Sequence, residues 1–365
     1  MKKTLITIVA ALSVFFAFSQ EFSIIHDGLT RTYRLYVPPA YNPDSLYPLV
    51  INMHGLGSNA FEQEVYTAFD SVADTTGIIV VYPNGINETW NISSSTGTDD
   101  VGFISALIDT LDYQYNIDLN RVFATGMSMG GFMSYRLACE LSGRIAAIAS
   151  VAGLQAFYPC NPDRPVPVLQ FHGTLDPVVP YAGVPTTISN WVNYNLCPSD
   201  PTTYDLPDID TNDNSTVTVY HYGPCAESTE VILYRINGGE HTWPGATIII
   251  GITNEDIKAS NEIWNFFKKY TLQGSSGIAS DMVKPGLSCN FYPNPVYNLT
   301  TVEVANLSSD QFEFKIYDLA GNVVLERNKL KDSRFIIDCS QIRAGIYIAV
   351  VSTDKMRSFQ KLIVR

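Results

Sequence analysis

Along most of the chain, short apolar segments alternate with longer amphipathic ones. "EFSIIH" and "TRTYRLYV" alternate apolar and polar residues and meet at Asp27-Gly28, a dipeptide suited to a two-residue turn, so they predict a hairpin. "YPLVINMHG" is apolar throughout, as a strand covered on both faces must be. "FEQEVYTAFDSVADTTG" predicts one amphipathic helix closed by Gly77, and "IIVVYP" the strand after it. Asp99 or Asp100 can cap the helix "VGFISALIDTLDYQYN". "RVFATG", a helix after Ser128, "RIAAIASVAG", "VPVLQFHG", "STVTVYHYG", "EVILYRING" and the helix "NEDIKASNEIWNFFKKY" continue the series to Tyr270. The alternation predicts an α/β fold, with a doubly wound, mostly parallel sheet between two layers of helices.

The pattern then changes. Residues 273–288 are Gly-, Ser- and Pro-containing without periodicity and read as a linker, while 289–365 hold only short alternating segments between turn signals, which predicts a small β-sandwich. At 365 residues two folded domains are expected: 20–272 and 289–365. Residues 1–19 have Lys2 and Lys3, an apolar core and an Ala17-Phe18-Ser19 end, the pattern of a secretory signal and not of a membrane span. The net charge of -13, with no Lys/Arg cluster, excludes a nucleic-acid partner. In an exported chain, six cysteines without a C-x-x-C spacing read as disulfides. Proximity in the inferred fold pairs Cys139 with Cys160, Cys197 with Cys225, and Cys289 with Cys339.

The segment Gly126-Met127-Ser128-Met129-Gly130 lies between a strand and a helix. Two readings fit: a nucleophilic serine on a strained turn, or a serine capping the helix. A serine hydroxyl needs a base, an acid to orient the base, and donors for an oxyanion. In the nucleophile-elbow order, serine then acid then histidine, His26 and His54 come too early, His172 ends a strand, and His221 lies inside one. His241, in the Gly-rich loop "NGGEHTWPG" after a strand, is the candidate base. Asp176 in "HGTLDPVVPY" is the candidate acid, with a turn-forming aspartate as the alternative. The Met129 and Leu56 amides are the candidate oxyanion donors. Trp90 and Trp243 are candidates for an aromatic wall against substrate, or for core. No H-E-x-x-H, Walker A or dinucleotide fingerprint occurs, so neither cofactor nor metal is expected.

"HGLGS", "DDVGF", "GMSMGG", "FHGTLDPVVPY" and "GGEHTWPG", in this order, resemble the secreted esterases of carbohydrate esterase family one, which includes feruloyl esterases and polyhydroxybutyrate-depolymerase-like enzymes. The resemblance implies an α/β-hydrolase fold with Ser128, Asp176 and His241 as its triad. "FYPNPVYN", "KIYDLAGNVV" and "AGIYIAVVSTD" resemble the C-terminal sorting domain of type IX secretion, which implies recognition by that machinery and a secreted or cell-surface protein. The expected substrate is a polysaccharide-linked ester, feruloyl or acetyl; a polyester and an inert surface-displayed binding protein are the alternatives.

Overall fold

Turn chemistry decides the first edge of the sheet. In the computed structural model, which describes residues 20–93, 96–156, 159–272, 288–292, 294–305, 311–318, 322–353 and 357–365, strands β1 (Gln20–His26) and β2 (Leu29–Tyr36) form the expected hairpin. Its turn residues Asp27 and Gly28 both take positive φ, 49° and 73°. Residues 1–19, expected to be a secretory signal, and 273–287, of the expected linker, lie outside the described residues.

β3 (Tyr47–Met53) and β4 (Ile79–Pro83) are buried at every position, as their unbroken apolar runs require. Between them the expected single helix is two, α1 (Ala60–Thr67) and α2 (Phe69–Thr76). Ala68 breaks it at φ 46°, its N–H closing α1 on Glu64, and the second helix buries Phe69, Val72 and Ala73; Gly77 ends α2 in the left-handed region. Asp99 caps α3 (Asp100–Gln114) by accepting from the Gly102 amide at 2.8 Å. Then follow β5 (Ile117–Met127), α4 (Met129–Glu140), β6 (Ala147–Val151) and β7 (Val168–Gly173). A helix, α5 (Val184–Tyr194), occupies a stretch where the apolar pattern predicts none. β8 (Thr202–Asp205), β9 (Thr216–Tyr222), β10 (Val231–Asn237) and α6 (Ala259–Phe267) complete the unit; α6 is shorter than its periodic run.

The sheet order is β1-β2-β4-β3-β5-β6-β7-β10-β9-β8. Strands from β4 to β10 pair in parallel, and both edges are antiparallel. One core packs α3, α4 and α5 on one face; the other packs α2 and α6 on the opposite face, where Phe123 stacks on Phe267 with centroids 4.7 Å apart. This is the α/β-hydrolase architecture, and its parallel strands direct their following loops to one edge. The disulfides Cys139–Cys160 and Cys197–Cys225 form as expected.

The chain divides into two compact units at Gly277 and Ile278. In the second, β11 (Ser288–Tyr292), β12 (Leu299–Ala305) and β15 (Arg334–Asp338) form one sheet; β13 (Phe312–Tyr317), β14 (Val323–Leu330), β16 (Gly345–Ser352) and β17 (Arg357–Val364) form the other. Alternate residues of β13 and β16 point into one shared core, which makes the unit a small β-sandwich. The expected bridge between Cys289 and Cys339 is absent: both are buried free thiols. Cys289 lies beside Val304, whereas the Cys339 amide reaches Asn298, near the other end of β12. That separation is about 20 Å at ~3.3 Å per residue, far beyond disulfide reach.

Candidate active site

Ser128 follows β5 directly and precedes α4 at φ 52° and ψ −119°, a conformation strained for any side chain. Its hydroxyl makes no cap bond to the helix, so the capping alternative fails. A Cβ on Gly126 or Gly130 would run into the backbone of Met53, which is why this turn needs glycines. The Ser128 amide donates to Val151 O at 2.8 Å, and Ser128 O accepts the first helical bond from Phe132. That leaves the Met129 amide among the first-turn donors without a partner in the helix. Across from Ser128 runs the loop after β3. A Cβ added to Gly55 would stand 3.3 Å from Ser128 Cβ, so the Gly55-Leu56 backbone passes close against the serine.

Loops after β7 and β10 bring the other two residues together. Asp176 is buried; its Oδ2 lies 2.7 Å from His241 Nδ1, while Oδ1 accepts from the Val178 and Val179 amides at 2.8 Å each. Burial alone would raise this carboxyl's pKa, but the bond to His241, the two amides and the imidazole charge outweigh it and hold it below the ordinary carboxylate value. The Asp176 and His241 loops are tied to each other as well: the Gly238 amide donates to Thr174 Oγ1 at 2.9 Å, and the Leu175 amide to Gly239 O at 2.9 Å. Ser128, His241 and Leu56 line one cavity of about 510 Å³, with Phe61, Val65, Ile248 and Ile250 on its exposed apolar walls.

An Esterase PHB depolymerase family model matches residues 31–159, and a secretion system C-terminal sorting domain model matches 290–365. The chain carries the domain of a carboxylic ester hydrolase. A bifunctional acetylxylan esterase/xylanase of Neocallimastix patriciarum is 31% identical over 68% of this chain, which spans 34% of that protein's length. A probable feruloyl esterase C of Aspergillus niger is 28% identical over 67% of this chain and 86% of its own. An acetyl xylan esterase structure from Aspergillus awamori superposes with a TM-score of 0.52 at 16% identity, covering 68% of this chain and 99% of its own, and shows the same fold. Sorting domains of the matched kind mark a protein for secretion or the cell surface.

Within the esterase domain, two expected substrate contacts are corrected. Trp90 and Trp243 are 2% and 1% exposed and neither lines the cavity. Each holds a loop instead. Trp90 Nε1 donates to His54 O at 2.9 Å, behind the Gly55-Leu56 turn. The Trp243 amide donates to the Tyr66 hydroxyl at 3.1 Å and its indole to Ser260 Oγ at 3.2 Å, fastening the segment after His241 to the helical layer.

Other supporting residues escaped the sequence reading. His54 is fully buried with Nδ1 2.7 Å from Gly55 O, and its Nε2 accepts from the Gly85 amide at 3.0 Å, which makes it a neutral Nδ1–H imidazole; burial lowers its pKa. Its position directly before Gly55-Leu56-Gly57 was the available signal. His172 Nε2 lies 2.8 Å from Val179 O and 3.5 Å from Asp176 Oδ2, and Gln170 Nε2 reaches its Nδ1 at 3.1 Å. Glu240 ties the isoleucine loop down, accepting from the Ile252 amide at 3.1 Å.

Proposed function

We propose that this chain is a secreted serine esterase that cleaves feruloyl or acetyl esters on plant polysaccharide through an acyl-enzyme. The observation that carries the reading is Ser128 at φ 52°, without a cap bond, on the same cavity as a histidine bonded to a buried aspartate at 2.7 Å. Ser128 Oγ attacks the ester carbonyl carbon as His241 Nε2 takes its proton. Asp176 keeps Nδ1–H pointed inward and stabilises the imidazolium. The oxyanion receives hydrogen bonds from the Met129 and Leu56 amides. His241 returns the proton to the leaving alcohol, then draws one from water, whose oxygen attacks the acyl carbon and releases acid and Ser128. No group outside these residues is required for the steps.

In the domain division that goes with this reading, a signal peptide (1–19) directs Sec export, 20–272 carries the chemistry, 273–288 links, and 289–365 is read by the type IX machinery at the outer membrane. Names of relatives favour polysaccharide esters. The apolar walls, together with the depolymerase family model, support a second reading as a polyester depolymerase. Initial rates on methyl ferulate, acetylated xylan and a hydroxybutyrate oligomer separate them. Ser128→Ala should lower turnover by about 10⁶-fold on whichever substrate the parent cleaves. A Ser128→Ala protein as active as the parent would refute the mechanism, and preference for the oligomer would replace the substrate.

A further inference from the structure

A second cavity, of about 440 Å³, lies between α5 and the strands β9 and β10 and shares no residue with the esterase cavity. The two open on different faces of the sheet: α5 and Leu233 belong to one core, while Tyr66 and Met127 of the esterase cavity pack against the other. Its walls carry three half-buried tyrosines, Tyr181, Tyr220 and Tyr222, over an apolar floor that includes Leu233. Asn193 and Ser189 add exposed polar groups at the α5 side. Tyrosine faces with hydroxyl and amide rims suit a pyranose, whose C–H face stacks while its hydroxyls find hydrogen-bond partners.

Arg235 sharpens the chemistry. Its Nε donates to Asn237 Oδ1 at 2.7 Å, its guanidinium sits 5.2 Å from the Tyr220 ring centroid, and it stands beside the Tyr181 hydroxyl. Those partners are neutral, and among the described residues Arg235 makes no ion pair, although the chain carries 36 acids against 23 basic residues. Asp200 is close enough to act on Tyr222, but the strand register sets Tyr222 opposite Val231, four residues along β10 from Arg235. A guanidinium fork with no carboxylate of its own, set in a tyrosine-walled cavity, matches a ligand that brings one.

We propose that this cavity binds a carboxylate-bearing sugar, a uronic acid residue of a polysaccharide, apart from the ester-cleaving centre. The polysaccharide element rests on the reading above; the test needs binding and no turnover, so the two can fail separately. Calorimetric titration of the Ser128→Ala protein would use a xylo-oligosaccharide with one glucuronic acid branch, the unbranched oligosaccharide of equal length, and inorganic phosphate. Expected is binding of the branched form at least tenfold tighter than the other two. Arg235→Gln should abolish that preference with the unfolding midpoint retained, and Arg235→Lys should restore part of it. Asn193→Ala, at an exposed helix position, should weaken binding severalfold and keeps the test available if Arg235→Gln does not fold. Equal binding of branched and unbranched forms, an unchanged preference in Arg235→Gln, or phosphate binding as tightly as the oligosaccharide would overturn the proposal. Displacement of the oligosaccharide by methyl ferulate would move the site to the esterase cavity and overturn it too.

Discussion

Around Ser128 the backbone itself is the scaffold: β5 runs into α4 with glycines pressed against Met53, and the serine's amide and carbonyl are both bonded to main chain. Around Asp176 and His241 side chains do most of the holding: Thr174 ties one loop to the other, His172 and Glu240 brace a loop each, and the Tyr66 hydroxyl accepts from the Trp243 amide, with one main-chain bond from Leu175 to Gly239 O beside them. The first arrangement depends on a few adjacent residues and tolerates no Cβ; the second depends on scattered residues, each replaceable at moderate cost. The proposed nucleophile and base are thus placed by unlike means, and perturbing each side should produce unlike losses.

The largest separation is expected from Asp176→Asn. An amide accepts fewer strong bonds, can present N–H to His241 Nδ1, and selects the wrong imidazole tautomer, so kcat should fall by about 10⁴-fold with the fold intact. A loss below about tenfold, measured on the preferred ester, would remove Asp176 from the proposed triad.

His172→Ala comes next. The ring holds Val179 O, and the Val179 amide holds Asp176 Oδ1, so the carboxylate is positioned at second hand. We expect kcat to fall ~10–100-fold with little change in KM, and His172→Gln, which can still donate to Val179 O, to recover much of it. A structural role alone would lower both variants' stability without that split. The pH dependence gives an independent reading. Burial depresses the folded pKa of His172, so the unfolded chain binds its proton first as pH falls below ~6.5. Stability from this group is present above that value and declines on acidification; the alanine variant should lose that part of the decline in a series of urea melts.

These two sides also differ in how far the sequence revealed them. The elbow was legible because strand, glycines, serine and helix are contiguous; the candidate acid and base rest on the order serine, aspartate, histidine, which left few residues to choose from, and the side chains that brace their loops were not legible. Parallel strands were legible from unbroken apolar runs such as "YPLVINM". The break at Ala68 was not, since alanine carries no signal for φ 46°, and α5 was hidden by the β-branched and polar residues of "VPTTISNWVNY". Disulfides 21 and 28 residues apart follow from neighbouring elements, whereas Cys289 and Cys339 are separated by a strand register no spacing encodes. Trp90 and Trp243 sit in loops beside the site, yet burial turned both inward.

Trp90→Phe tests the smallest effect, and on the backbone-built side. Phenylalanine keeps most of the packing against His54, whose ring lies 5.1 Å away, but removes the one bond that the indole donates to His54 O. Such a bond contributes about 0.5–1.5 kcal/mol net. Because His54 O immediately precedes the Gly55-Leu56 amides, loosening it should weaken oxyanion stabilisation and leave the His241–Asp176 pair untouched. Expected is a two- to tenfold fall in kcat, ~0.4–1.4 kcal/mol of barrier, with the pH–rate profile unchanged. If the acid limb of that profile moves instead, the two scaffolds are coupled, and the separation between a backbone-held nucleophile and a side-chain-held base would have to be abandoned.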